Sequence, residues 1–258
     1  MVSTSTESLI MILWISMKIK NIFLTILLVT CTLLLTTPIY AQSTPDFKIN
    51  TYTKIYYTTG QDYVTVKNEY ERLVENSSFY FTKEGEKVFH IPDVSSIEGE
   101  VTKEREFKKN SLKVTDPNDN AINFNLEELP IGEGMYIHIP FYRTTTKSLP
   151  YKIIVSYNTH DNVIKSGQLI TLMASSLPTD TIFQRNDEKN KTETEFNYNL
   201  SIIVDENIPK LAKAYPKFTK EEKEGLTYYN FLAEDRINQP STLEFGTSVV
   251  YKFELEYQ

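Results

Sequence analysis

Three histidines, His90, His138 and His160, are the side chains of this 258-residue sequence whose ordinary pKa suits general acid–base work or transition-metal binding. None has a second His or a carboxylate at a recognised ligand spacing. His90 and His138 each sit inside a short strand-like run, where a satisfied core or surface histidine is the commoner role. Paired carboxylates occur at Glu127-Glu128 and Glu221-Glu222. A glycosidase needs two carboxylates facing across a cleft about 5 to 9.5 Å apart, whereas adjacent glutamates at turns are normally solvated. There is no Gly-rich phosphate loop, no G-x-S-x-G elbow and no D-x-D-x-D-G calcium loop, and Gly132-Glu133-Gly134 reads as a turn. The expectation is that these residues carry no catalytic, cofactor-binding or metal site and take no cofactor.

The single cysteine, Cys31, lies inside an apolar segment near the N-terminus. Met17-Lys18-Ile19-Lys20 forms a basic n-region, Ile22 to Leu35 an uncharged h-region, and Ile39-Tyr40-Ala41 a small-residue cleavage site. Residues 17–41 therefore read as a signal peptide, and residues 1–16 as a spurious extension from an early start. An uncleaved membrane anchor is the alternative, because Ile22 to Ala41 can span a bilayer core of about 30 Å. Cleavage after Ala41 leaves a chain without cysteine, hence without disulfide, thiolate nucleophile or Cys-based metal site. An exported, disulfide-free chain fits a bacterial surface protein stabilised by core burial.

Removing residues 1–41 leaves 25 basic against 33 acidic side chains, a net charge of −8. An acidic chain with no Lys/Arg stripe is a poor partner for nucleic acid or anionic lipid. The membrane is met only through an uncleaved N-terminal segment or a C-terminal anchor not present in the sequence.

The elements are β-rich. Seventeen Tyr and fourteen Phe, with many Val, Ile and Thr and only eight Gly, favour strands. Phe47–Thr58 and Tyr63–Leu73 are at hairpin spacing around Thr59-Gly60-Gln61-Asp62. Shorter strands are expected at Phe79–Phe81, Lys87–Ile91, Leu112–Thr115, Ile122–Leu126, Met135–Phe141, Tyr151–Tyr157 and Gln168–Ala174, with Asn162–Gly167 a break. Glu98–Lys109, with Val101 and Phe107 as its apolar anchors, reads as a solvated edge strand or loop. Gln184–Thr194 is a polar linker or exposed hairpin, after which Phe196, Tyr198, Leu200, Ile202 and Val204 alternate on one face. Ile208–Ala214 could hold one or two helical turns, and Thr219 to Gly225 carries helix capping signals. Tyr251 to Tyr257 alternates strictly as a last strand that stops short of a natural terminus. The fold class expected is all-β, with two consecutive immunoglobulin-like β-sandwich domains after the signal or transmembrane helix: 42–183, a linker or hairpin at 184–194, and 195–258, the second cut short at its C-terminus.

The order of segments resembles the non-catalytic N-terminal β-sandwich region of exported bacterial transglutaminase-like proteins. The likeness rests on the Tyr56-Tyr57 to Tyr70 hairpin, Tyr151-Lys-Ile-Ile-Val-Ser-Tyr157 followed by Asp161 and Gly167, Leu177-Pro178, and Phe245-Gly246 leading into Tyr251–Tyr257. It departs from the pattern at Val249, where Gln is expected. The resemblance implies that a Cys-His-Asp catalytic core would lie beyond Gln258. Three functions follow as expectations: an exported non-catalytic module that positions or regulates a downstream domain or mediates cell-surface interactions; the N-terminal half of such an enzyme; or a surface adhesin that binds glycan through exposed tyrosines.

Overall fold

The computed structural model describes residues 45–76, 86–141, 146, 148–181, 183–188 and 191–247. The expected signal segment, Cys31, the strand at Phe79–Phe81 and the strand at Tyr251–Tyr257 lie outside the described residues. Among those described, no helix is long and apolar enough to cross a membrane.

The described chain is mostly β. In order it forms β1 (Phe47–Tyr57), β2 (Val64–Val74), β3 (Glu86–Ile91), α1 (Glu98–Ser111), β4 (Lys113–Thr115), β5 (Asn125–Glu128), β6 (Met135–Pro140), β7 (Tyr151–Thr159), β8 (Val163–Ser166) and β9 (Leu169–Ala174). There follow β10 (Gln184–Asp187), β11 (Thr192–Asp205), β12 (Leu211–Tyr215), β13 (Phe218–Lys223), β14 (Leu226–Phe231), a 3-10 turn at Glu234–Arg236, and β15 (Ser241–Phe245).

A large sheet runs β13-β14-β11-β1-β2-β7-β4, with β10 also pairing to β11. Two smaller sheets run β12-β15-β9-β8 and β3-β6-β5. Strict alternation explains the large sheet: Tyr151, Ile153, Val155, Tyr157 and Thr159 of β7 are all buried, while the residues between them are half-exposed. One core joins the three sheets. It takes Ile55, Val66, Ile153 and Ile202 from the large sheet, Ile137 and Ile139 from the three-stranded sheet, and Leu172, Leu243 and Phe245 from the four-stranded one. Each fully buried aliphatic side chain contributes about 1.5–3 kcal/mol.

The boundary expected at 184–194 does not separate two sandwiches. β10 is the first arm of a hairpin onto β11, so of the two options offered for that stretch the hairpin is the one present. β11, expected to open a second domain, pairs in parallel with β1 over eleven residues, from Phe47 opposite Thr194 to Tyr57 opposite Val204. Both ends of this pairing are latched by aspartates. The Asp46 carboxylate accepts from the Glu193 amide at 2.9 Å, and Asp205 accepts from the Thr59 amide and hydroxyl at 2.5 and 2.8 Å. The described residues belong to one contact unit, Thr44–Gln258.

Four local expectations also change. Glu98–Ser111 is a helix, because its buried face is Val101, Arg105 and Lys108: the helical spacing is present, but two of its three members are cations, so no apolar period marks it. Acidic Glu98 and Glu100 in the first turn and basic Lys108 and Lys109 in the last complement the helix dipole. Thr219–Gly225 is a strand and a tight turn, not a capped helix. Glu224 and Gly225 both have positive φ, 55° and 75°, as a two-residue hairpin between β13 and β14 requires. Leu211–Tyr215, which overlaps the helical turns expected at Ile208–Ala214, pairs with β15 instead. Asn162–Gly167, expected to break the pattern, supplies β8, which pairs back on β9.

Candidate functional site

The two smaller sheets pack on the same face of the large one and leave a cleft between them, a cavity of about 210 Å³. Its floor is the inner face of β1, β2 and β7, where Ile55, Val66 and Tyr157 are joined by the polar pair Thr53 and Asn68. These two stand opposite each other in the β1–β2 register, and the Thr53 hydroxyl donates to Asn68 Oδ1 at 2.9 Å.

One wall comes from the three-stranded sheet and α1: His90, Pro92, Val94 and Lys108. Lys108 is 2% exposed, and its ammonium donates to the Pro92 carbonyl at 3.1 Å and to Asp161 Oδ2 at 2.6 Å. The other wall comes from the exits of β7 and β9 and the 3-10 turn: Asn162, Ala174, Ser175, Ser176 and Arg236. Arg236 is held by its backbone, since Leu177 N–H donates to its carbonyl at 2.9 Å. Among the described residues its side chain makes one hydrogen bond, from Nη2 to the Ser175 carbonyl at 3.2 Å. Burial pushes the Arg236 guanidinium down to about 10, because leaving water disfavours the charged form.

Next to the cleft, α1 is fastened by charge on two further sides. Arg105 reaches both Asp93 oxygens and the carbonyls of Leu129 and Pro130. The Glu104 carboxylate accepts from the Thr159 hydroxyl at 2.7 Å and the His160 amide at 2.9 Å, and meets His160 Nδ1 at 2.8 Å. Burial pushes the Glu104 carboxyl up, but these hydrogen bonds outweigh it and hold it below the usual range.

The structure keeps the three histidines in separate settings. His90 Nε2 lies 2.6 Å from the Glu133 carbonyl with its ring against Tyr136, and it alone borders the cleft. His138 stands between Glu86 and Glu127 on the three-stranded sheet, 3.1 and 2.9 Å away. His160 packs on Phe107 and bonds Glu104. Glu127 and Glu128 are not a facing pair: alternation along β5 sends Glu127 to His138 and Glu128 to Lys109 and Arg105. Glu221 and Glu222 are exposed on β13. Among the described residues no group of three or more His, Cys, Asp or Glu is placed to hold a metal ion.

Sequence reasoning missed Arg236, Lys108, Asp161 and the Thr53–Asn68 pair, which sit on five separate segments with no common spacing. One signal was available. Only five of the 27 basic residues are Arg, and two of these, Arg105 and Arg236, are buried; in a chain that covers its surface with Lys, an Arg stands where a planar donor fork is wanted.

No family model matches the chain, and no curated protein matches it. Solved structures similar to it include an M1 zinc metallopeptidase from Deinococcus radiodurans, at 8% identity and a TM-score of 0.37 over 78% of this chain and 43% of that one. Aminopeptidase A of Legionella pneumophila has 13% identity and a TM-score of 0.35 over 80% and 22%. Yeast LTA4 hydrolase has 9% identity and a TM-score of 0.39 over 81% and 31%. This chain spans less than half the length of each of these proteins, and at these scores none lends it an activity.

Proposed function

We propose that the chain is an exported, non-catalytic β-sandwich module that positions a neighbouring domain, as the resemblance to the N-terminal region of transglutaminase-like proteins implies. The observation that supports it is how α1 uses its charges. Arg105, Lys108 and Glu104 are engaged by Asp93, Asp161 and His160, and together these pairs clamp the exit of the three-stranded sheet to the end of β7. Such a clamp suits a part whose task is to hold a fixed shape. Fractionation of the source cells followed by N-terminal sequencing tests the export, with an extracytoplasmic protein starting at Gln42 expected. A cytoplasmic protein retaining residues 17–41 would overturn it. The purified chain should show no turnover of peptide, isopeptide or glycoside substrates, and activity that persists to homogeneity would overturn the non-catalytic reading.

A second reading, glycan binding at a surface, is favoured by one feature of the outer face of the large sheet. Tyr56, Ile203 and Tyr228 stand in one row across β1, β11 and β14, with the two half-exposed tyrosines flanking a buried isoleucine. A glycan array probed with wild type and with Tyr56→Ala/Tyr228→Ala separates this reading from the first, which expects a blank array.

A further inference from the structure

We propose that the cleft between the two smaller sheets is a binding site for a small organic monocarboxylate, held by the guanidinium of Arg236. The proposal does not depend on the positioning role or on export.

Arg236 is 6% exposed and lines the cavity. A buried guanidinium normally faces a carboxylate, since an uncompensated buried charge is costly. Arg105 shows the ordinary arrangement in the same fold, with the Asp93 carboxylate spanning its Nε–Nη2 edge. Among the described residues Arg236 has instead a single neutral acceptor, the Ser175 carbonyl, and its Nε is buried with no hydrogen-bond partner. Burial lowers its pKa, and among the described residues no acidic group opposes that. The fold thus holds a planar cation at a cleft with one hydrogen bond among the described residues, and a carboxylate is the group whose two oxygens match its fork.

The other charged groups of the cavity set the charge of the ligand. Lys108 is already neutralised by Asp161 at 2.6 Å, so Arg236 supplies one surplus positive charge, which a monoanion balances. A dianion such as phosphate would bring a second negative charge into a cavity that already contains Asp161. The remaining lining sets size and character. Ile55, Val66 and Ala174 offer apolar contact, while Asn68, Ser175 and Ser176 offer polar groups. A cavity of about 210 Å³ has room for a carboxylate with a short apolar tail.

The test titrates the full chain with acetate, butyrate, inorganic phosphate and the neutral acetamide, following the thermal midpoint and the ¹⁵N resonance of the Arg236 side-chain Nε–H. Butyrate and acetate should raise the midpoint saturably and move that resonance; acetamide should do neither, and phosphate should bind more weakly than butyrate. Arg236→Gln should weaken butyrate by roughly tenfold or more, the loss expected for one charge-assisted pair. Equal responses to butyrate and acetamide, tighter binding of phosphate, or an unchanged response in Arg236→Gln would overturn the proposal. If Arg236→Gln does not fold, the Nε–H resonance of the wild type decides: immobility through the whole butyrate titration sinks the site.

Discussion

Arg105 of α1 and Asp93 after β3 meet at two points, Nη2 to Oδ2 at 2.6 Å and Nε to Oδ1 at 3.1 Å. Both side chains are almost wholly buried. A buried pair broken on one side leaves the other charge without compensation. Arg105→Ala is therefore expected to destabilise the fold by about 3–5 kcal/mol, while Arg105→Met combined with Asp93→Leu loses much less. Urea denaturation of the three proteins reads this directly, and a single variant no worse than the double would contradict it.

Acid should loosen the same region. Burial pushes the carboxyls of Asp93, Glu104 and Asp205 up, but hydrogen bonds from Arg105, from Thr159 and His160, and from Thr59 outweigh it, and all three are held below the usual carboxylate range. A group with a lowered folded pKa contributes stability above its unfolded pKa and loses it as the pH falls through the folded one. The thermal midpoint should thus stay level from neutral pH to about pH 5 and drop below about pH 4. A midpoint that rises on acidification would contradict this assignment.

His138 should titrate in the opposite sense. Hydrogen bonds to Glu86 and then Glu127 raise its pKa above the ordinary value, so its small contribution is present at acid pH and is lost as the pH rises through the folded pKa. Imidazole resonances followed by NMR should place His138 above about 6.5, and Glu86→Gln with Glu127→Gln should bring it back near that value.

Gly246 stands at φ +108°, and a Cβ there would lie 2.2 Å from the Gln168 carbonyl oxygen. Gly60 has a similar φ, +96°, but open space around it. Gly246→Ala is expected to cost about 2 kcal/mol or more and Gly60→Ala about 1 kcal/mol, the difference being the close approach. Equal unfolding midpoints for the two variants would show that the approach at Gln168 relaxes freely.

The pairing of β1 with β11 predicts that residues 42–183 and 195–258 do not fold apart. Expressed separately, each should lack dispersed amide resonances, because each leaves one edge of an eleven-residue parallel ladder bare. Two separately folded pieces would restore the two-domain reading.

The strands were legible where one face is apolar and the other wet. Tyr151–Thr159 is the clearest case, with every second residue buried, and a period of two is written into local sequence. The helix α1 was illegible for the matching reason: Arg105 and Lys108 occupy its buried face, so the helical period is carried by charge. A type that composition counts as solvated was drawn inside by partners 12 and 53 residues away.

The sequence alone determined that this protein is mostly β, which stretches alternate, and where several chain reversals fall, since these depend on neighbours in the chain. Only the tertiary structure decided that Thr192–Asp205 pairs with the first strand, that α1 is a charged clamp, and that Arg236 lines a cavity whose one acid, Asp161, is taken by Lys108. Those facts depend on which distant groups meet, and a parallel pairing or a buried charge leaves no mark on the residues beside it.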